Sequence, residues 1–554
     1  MPLLIPKHFP TNWAELSAQA KGLLTPNEDK KKKLHKPDHE HESEAHQLFR
    51  SVPGHSSGSI KYSNSKRERR FNKAIPSEPP VAELDHDLKS LQDDQAEILP
   101  GFTSPGSTGV IFVMDRAMAN GFTYDDPNWA NFGQGAPEVG DIPEASKKPD
   151  LIDVAKMGDE VHEYAPTTGA KPLRAAIADL YNQTYRKGMQ SQYTYENVCV
   201  VPGGRAGLTR VASVVGEVYV GYQLPEYTAY DQMLSVFRRL VPIPSSLSAG
   251  DKYKLHIDKL KESIDQMGLS VIFASNPRNP TGQAVEGKEL EELVSIGQSG
   301  QTVVLDEFYS WYNLEGKLGE SLSAAKYIED VNKDAVVIID GLTKNWRCPG
   351  WRVCWVVGPK ALISALSQSG SFLDGGASHI MQMAALPLLE IDRVQKDKVA
   401  LQKHFRMKRD RVLERLEKMG LKVQVPPKWT FYVWLDLSVL PPPLNSGLVF
   451  FEELLKHKVI VVPGIFFDIN PAHRRNLFRS PCHHYVRLSF GPPLAQLEKG
   501  LDGIEKVLQK AHEQLVTTGH LNEMGTNLAP HPNQSTDNPT TDITTDLNKL
   551  KAAC

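Results

Sequence analysis

The sequence predicts an α/β protein: a large domain with a mostly parallel sheet wrapped by helices, joined to a smaller α+β domain. Three observations lead there. First, SVIFAS (270–275), TVVLDE (302–307), AVVIID (335–340) and RVCWVVG (352–358) are rich in Val and Ile and bounded by Gly, Pro or Asn, as strands buried on both faces are. Second, stretches with helical spacing lie between such strands. The one at 169–185 puts Leu173, Ile177, Leu180 and Tyr181 on a single face. Third, a long charged helix is expected over 399–420, followed by the short strands FYVWLDL and VIVVPG, which suits a smaller mixed domain.

A chain of 554 residues is too long for one ordinary domain. Between 14 and 100 the only aromatics are Phe49, Tyr62 and Phe71, and none follows Phe490. Such stretches bury too little apolar surface to offset the entropy of ordering them. The expected organisation is a mostly disordered leader over 1–99, an arm contributing to the small domain over 100–150, a large domain over 151–395, a small C-terminal domain over 396–515 and a disordered tail over 516–554. The 63 Lys and Arg against 66 Asp and Glu leave a net charge of -3, which makes no whole-chain case for nucleic-acid binding. The Lys30–Lys33 run, flanked by acids, reads as solvated charge. The histidines at 35, 39, 41 and 46 have no folded frame in which to hold a metal. Five scattered cysteines, none in a CxxC pair, imply neither a disulfide framework nor a zinc site. No apolar run approaches the roughly 18 residues needed to cross a bilayer, and no secretory signal is recognised, so a cytoplasmic enzyme is expected.

Polar groups gather at strand ends, where an α/β protein keeps its ligand. Asn276-Pro277-Arg278-Asn279-Pro280-Thr281-Gly282 follows one strand, its prolines stiffening a turn that aims two amides. Asp306-Glu307-Phe308-Tyr309 ends another. A carboxylate there needs a cation or hydrogen-bond donors, or serves simply as a helix cap. Lys344 and Arg352 bracket a Pro-Gly turn flanked by Trp346 and Trp351. Gly203-Gly204-Arg205 leaves the strand VCVV and enters a helix, as anion-binding turns do and as ordinary turns also do.

In order and spacing, these motifs resemble the fold-type I, class I/II aminotransferases, which depend on pyridoxal 5′-phosphate (PLP). The resemblance runs over about residues 130 to 510 and rests on the ordered set Gly203-Gly204, Asn279-Pro280-Thr281-Gly282, Asp306-x-x-Tyr309, Lys344, Arg352 and Tyr485-Val486-Arg487-Leu488-Ser489-Phe490. It implies that the 151–395 domain binds PLP, with Lys344 forming the Schiff base and moving the proton. Asp306 then faces the pyridine nitrogen, while Asn279 and Tyr309 meet the phenolic oxygen. Tyr227 stacks on the ring, unless it is a core tyrosine. The phosphate falls to Gly203, Gly204, Arg205, Thr343 and Arg352. Arg487, with Gly135 and Asn279, grips the substrate α-carboxylate. Tyr164 matches a tyrosine that reaches the neighbouring subunit's phosphate, which implies a homodimer.

One departure stands out. The family usually has Ser or Thr three residues before the lysine, and this chain has Gly341. One phosphate-binding hydroxyl is therefore missing, and Thr343 and Arg205 are the residues expected to compensate. The activity expected is transfer of an amino group from an L-amino acid to a 2-oxo acid. The alternatives are a PLP-dependent lyase resembling aminocyclopropane-carboxylate synthase, and a non-catalytic regulator built on the same domain. No second arginine reading a substrate side chain is identified. Trp346 and Trp351 suit either an aromatic substrate or the core.

Overall fold

A computed structural model of the chain describes residues 97–100, 102–103 and 109–517, apart from 238, 472–473, 476 and 478–479. All belong to a compact unit over Pro80–Cys554. The leader before Glu97, with its lysine run and histidines, and the tail beyond 517 lie outside the described residues. At the leader's end, Glu97–Leu99 pairs antiparallel with Phe102–Thr103.

The large domain is organised by a seven-stranded sheet. Its strands are β1 (Val198–Val201), β2 (Tyr219–Leu224), β3 (Val241–Ser246), β4 (Leu269–Ser275), β5 (Thr302–Asp306), β6 (Val336–Gly341) and β7 (Cys354–Val357). Their order is β1-β7-β6-β5-β4-β2-β3. Every residue of β1, β6 and β7 is buried, which is why these strands read as continuous apolar runs rather than alternating ones.

Strands β2 to β6 pair in parallel, whereas β7 runs antiparallel to both β1 and β6. The sequence placed 352–358 in a largely parallel sheet without this reversal. The reason for it is local: the 342–353 connection stays at one end of the sheet, with Leu342 N–H bonded to Val353 O at 3.0 Å across its base. Arg352 therefore stands just before β7 rather than on it.

Helix α1 is Gly109–Ala119 and α2 is Lys171–Tyr185. The latter has proline in its first turn and buries Leu173, Ile177, Leu180 and Tyr181 on its inner face. Helix α3, Gly204–Val214, leaves the end of β1. Helix α4, Ile391–Lys418, begins earlier than the sequence suggested and runs through the expected 395/396 boundary. Beyond it, β8 (Tyr432–Asp436), β9 (Val462–Pro463) and β10 (Tyr485–Ser489) form an antiparallel sheet in the order β8-β10-β9, and α5 (Leu494–Thr517) closes the described chain. The arm packs here: Ala130–Asn131 pairs with Val459–Ile460, and Phe112 of α1 lies 5.4 Å from the Phe466 ring.

From this arm a segment over 133–140 crosses to the carboxyl ends of the parallel strands, the edge where α/β ligands bind. Glu138 pins it. Its N–H bonds Gly491 O at 2.9 Å, and its carboxylate meets His404 and, at 2.7 Å, Lys408, both on α4. Those cationic and hydrogen-bonding partners outweigh burial and hold its pKa down to about 2. A carboxylate depressed on folding stabilises above its unfolded pKa and loses that contribution as pH falls through the folded one. Glu138→Gln is therefore expected to cost about 3 kcal/mol near neutrality. Denaturant titrations at stepped pH should show the difference from wild type shrinking between roughly pH 5 and pH 2.

Candidate active site

Five strand ends converge: β1, β2, β4, β5 and β6 deliver Gly203, Tyr227, Asn279, Asp306 and Lys344 to one edge of the sheet. Lys344 lies on the 342–353 loop, and that loop is held from beneath. Asn345 accepts from Trp311 N–H at 3.2 Å and donates to Ser310 Oγ at 2.9 Å and Asp340 Oδ1 at 3.1 Å. Tyr312 OH donates to Lys344 O at 2.9 Å. So held, Lys344 Nζ donates to Gly135 O on the crossing segment. Burial and the Arg487 guanidinium lower its pKa to about 8, with Asp306 acting in the opposite sense.

Asp306 is buried at the tip of β5 and accepts from Phe308 N–H at 3.4 Å. Burial raises its pKa to about 7, with Glu226 adding to the rise. Tyr309 OH meets Tyr432 OH at 2.9 Å, and Tyr432 OH also reaches Gly135 O at 3.4 Å. Arg487 on β10 is 2% exposed. Its Nη1 donates to Asn279 Oδ1 and its Nη2 to Gly133 O, both at 3.0 Å, while its Nε is buried without a partner. Because Arg only donates, this contact fixes the Asn279 amide with its oxygen toward Arg487, leaving its NH2 as the donor for anything else in the site. Tyr432 and Phe467 flank the guanidinium, with ring centroids 4.2 and 5.0 Å away.

The turn at Gly203-Gly204 is sterically explicit. Gly203 adopts φ 105°, and a Cβ there would fall 1.8 Å from Arg352 Nη2. Arg352 thus lies directly over the N-terminus of α3, where unpaired amides point outward. Gly204 faces Phe308, whose ring would meet a Cβ at 2.4 Å. Arg205, exposed, reaches Tyr227 OH through Nε at 3.4 Å. Thr343 Oγ1 lies 3.1 Å from Cys354 Sγ. Tyr164 is 96% exposed and packs against nothing in its own chain's site. Trp346 is core: it packs on Trp311 at 4.2 Å and donates to Leu388 O at 2.8 Å.

Three residues of the site were given no role by the sequence reading: Tyr432, and the pair Glu226 and Arg278. Glu226 is fully buried between β2 and Tyr227. Its carboxylate accepts from Tyr227 N–H at 2.8 Å, from Ser275 and from Arg278 Nη1 at 3.0 Å. The rule applied to Asp306, that a carboxylate at a buried strand tip requires a cation, would have found it. Tyr432 carried no signal beyond belonging to the FYVWLDL strand.

These residues fit PLP. The chain offers a low-pKa amine, a buried carboxylate short of a cation, a hydroxyl and an amide side by side, and a helix N-terminus beneath a guanidinium. An orphaned Nε marks the arginine beside them. Fold and site together define a PLP enzyme of fold type I. The family model for aminotransferase class I and II matches residues 127–504. The probable aspartate/prephenate aminotransferase of Aquifex aeolicus is 24% identical over 383 residues, covering 68% of this chain and 91% of its own. The aspartate/prephenate aminotransferase of Thermus thermophilus is 27% identical over 355 residues, covering 63% and 84%. The solved structure of Thermus thermophilus aspartate aminotransferase with maleate superposes with a TM-score of 0.60 at 24% identity, over 72% of this chain and 97% of that one. The chain belongs to the class I and II aminotransferases, and it is a PLP-dependent transaminase acting between amino acids and 2-oxo acids.

Two outcomes test the site's electrostatics. In cofactor-free protein, acetylation of Lys344 by acetic anhydride, followed by peptide mass spectrometry, should rise as pH passes about 8, well below the 10.5 of an ordinary lysine. Glu226→Gln should lower unfolding free energy by about 3 kcal/mol by leaving Arg278 buried without its counter-charge. Glu226→Gln with Arg278→Met should recover most of that loss in the same denaturation assay.

Proposed function

We propose that Lys344 is the catalytic base of this transaminase and Arg487 its carboxylate-binding residue. The observation carrying this reading is the buried Arg487 fork beside the low-pKa lysine, with its Nε still unpartnered. Bound PLP supplies an aldehyde and an electron-withdrawing ring, which chemistry at an amino-acid Cα requires.

The remaining roles belong to the chain. Arg487 and Asn279 orient the substrate α-carboxylate, with the Gly133–Gly135 backbone closing beside it. Neutral Lys344 Nζ takes the proton from the substrate Cα and would deliver it to the carbon that was the cofactor's aldehyde. Asp306, as a carboxylate, would hold a proton on the ring nitrogen, and that cation would in turn relieve the cost of its burial. Tyr309 and the Asn279 NH2 would hydrogen-bond the ring oxygen, and Tyr227 would cover the ring face. Gly203, Gly204, Arg205, Thr343 and Arg352 take the phosphate.

The proposed working form is a cytoplasmic homodimer whose cofactor domain spans 151–395, with the small domain formed by 396–515 and the arm. The exposure of Tyr164 suits a residue completing a partner's phosphate site. Cys199, Cys348, Cys354 and Cys482 are free thiols, which suits a reducing compartment. Among the described residues, no helix is long and apolar enough to cross a membrane.

The test is a half-reaction. The PLP-loaded protein is mixed with one L-amino acid at a time, aspartate and the aromatic amino acids included, without a 2-oxo acid. About one equivalent of 2-oxo acid per site should be released, with turnover resuming only when an acceptor 2-oxo acid is added. Continuous ammonia release without an acceptor would establish lyase chemistry instead. Arg487→Lys should raise KM for the amino acid about tenfold or more, since a point charge cannot replace the planar fork.

A further inference from the structure

Gly341 is the place where this chain lacks the hydroxyl usual three residues before the lysine, and its surroundings show why no side chain returns there. Gly341 ends β6 directly opposite Cys354, the first residue of β7. A Cβ on Gly341 would lie 2.5 Å from both Cys354 Cα and Cys354 Sγ. Contact with a backbone atom at that distance is not relieved by turning a rotamer. The cysteine sulfur occupies the space that a hydroxyl at 341 would need.

We propose that Cys354 is a positioning residue that aims the Thr343 hydroxyl at the cofactor phosphate, in place of the hydroxyl Gly341 cannot carry. This rests on the reading that PLP binds here with its phosphate near Thr343. The geometry has two parts. Thr343 Oγ1 and Cys354 Sγ are 3.1 Å apart, within sulfur hydrogen-bonding range. Cys354 is itself fully buried and fixed in the sheet between β1 and β6, so the sulfur is a rigid anchor.

Burial pushes the thiol up to about 12, so it keeps its proton at neutral pH and can donate to Oγ1. A threonine hydroxyl that accepts from the sulfur retains its own proton for an outside acceptor, and a phosphate is such an acceptor. Arg352 lowers the thiol's pKa electrostatically, and Cys354 in turn acts on Lys344. A cysteine that merely filled space would need no polar partner.

The experiment compares binding of PLP with binding of pyridoxal, which lacks the phosphate, by fluorescence titration of cofactor-free protein. Cys354→Ala is expected to weaken PLP binding about 3- to 10-fold, the range of one neutral hydrogen bond, and to leave pyridoxal binding unchanged. Cys354→Ser, which keeps a donor, should stay within about twofold of wild type. Thr343→Val should match Cys354→Ala, and the double variant should be no worse than either, because both remove one interaction. Cys354→Val, suited to a buried strand, gives the same comparison should Cys354→Ala not fold. Equal losses for PLP and pyridoxal, additive losses in the double variant, or no loss without the thiol would overturn the proposal. A wild-type protein that binds pyridoxal and PLP equally would overturn it too, by removing the phosphate contact. Failure of wild type to bind either compound would instead strike the cofactor reading beneath it.

Discussion

The candidate site depends on an ion pair that touches neither Lys344 nor Arg487. Glu226 and Arg278 meet at 3.0 Å with almost no exposure to water. Removing two charges from water is costly, so such a pair persists only when its remaining hydrogen-bonding capacity is met. Glu226 meets this condition with the Tyr227 and Ser275 amides, and its own N–H bonds Phe467 O at 3.0 Å. Three segments therefore join at one residue, two through its carboxylate and one through its N–H: the loop after β2 that carries Tyr227, the loop after β4 that carries Asn279, and the small-domain turn that carries Phe467. The second and third of those segments bear on Arg487, through Asn279 Oδ1 and the Phe467 ring.

A second constraint comes from burial acting on opposite charges. The same dry environment raises Asp306 to about 7 and lowers Lys344 to about 8. Both groups are thereby poised near neutrality, where small changes in nearby charge decide their protonation. A cation at the ring nitrogen would return Asp306 to its charged form. Arg487 works the other way on Lys344, favouring the neutral amine that a base must be. Tyr432 links these parts, with its hydroxyl on Tyr309 and Gly135 and its ring under Arg487.

The turn entering α3 combines a rigid element with exposed ones. The N-terminus of α3 and the glycine at 203 are set by the sheet, whereas Arg205 and Arg352 reach in from the rim. The close approach of β6 to β7 at Gly341 and Cys354 is part of the same economy of space: the antiparallel turn that presents Lys344 draws the two strands too near for a side chain between them.

Much of this was legible before any fold was known. Strands such as 270–275 and 302–307 could be read because burial on both faces forces continuous apolar runs, and the helix at 171–185 because one buried face imposes a 3.6-residue period. Lys344, Asp306 and Asn279 could be singled out because turns at strand ends carry chemically unusual residues, whereas Arg487, inside β10, was singled out only through the family resemblance. What only the tertiary structure decided are relations between distant segments. The reversal of β7, the burial of Trp346, the Glu226–Arg278 pair, the Tyr432 contact and the Gly341–Cys354 approach each depend on two pieces of chain brought within a few ångströms. Local sequence records the preferences of each piece for helix, strand or turn; it does not record which side chain will stand opposite, and both desolvation and steric exclusion are set by that neighbour.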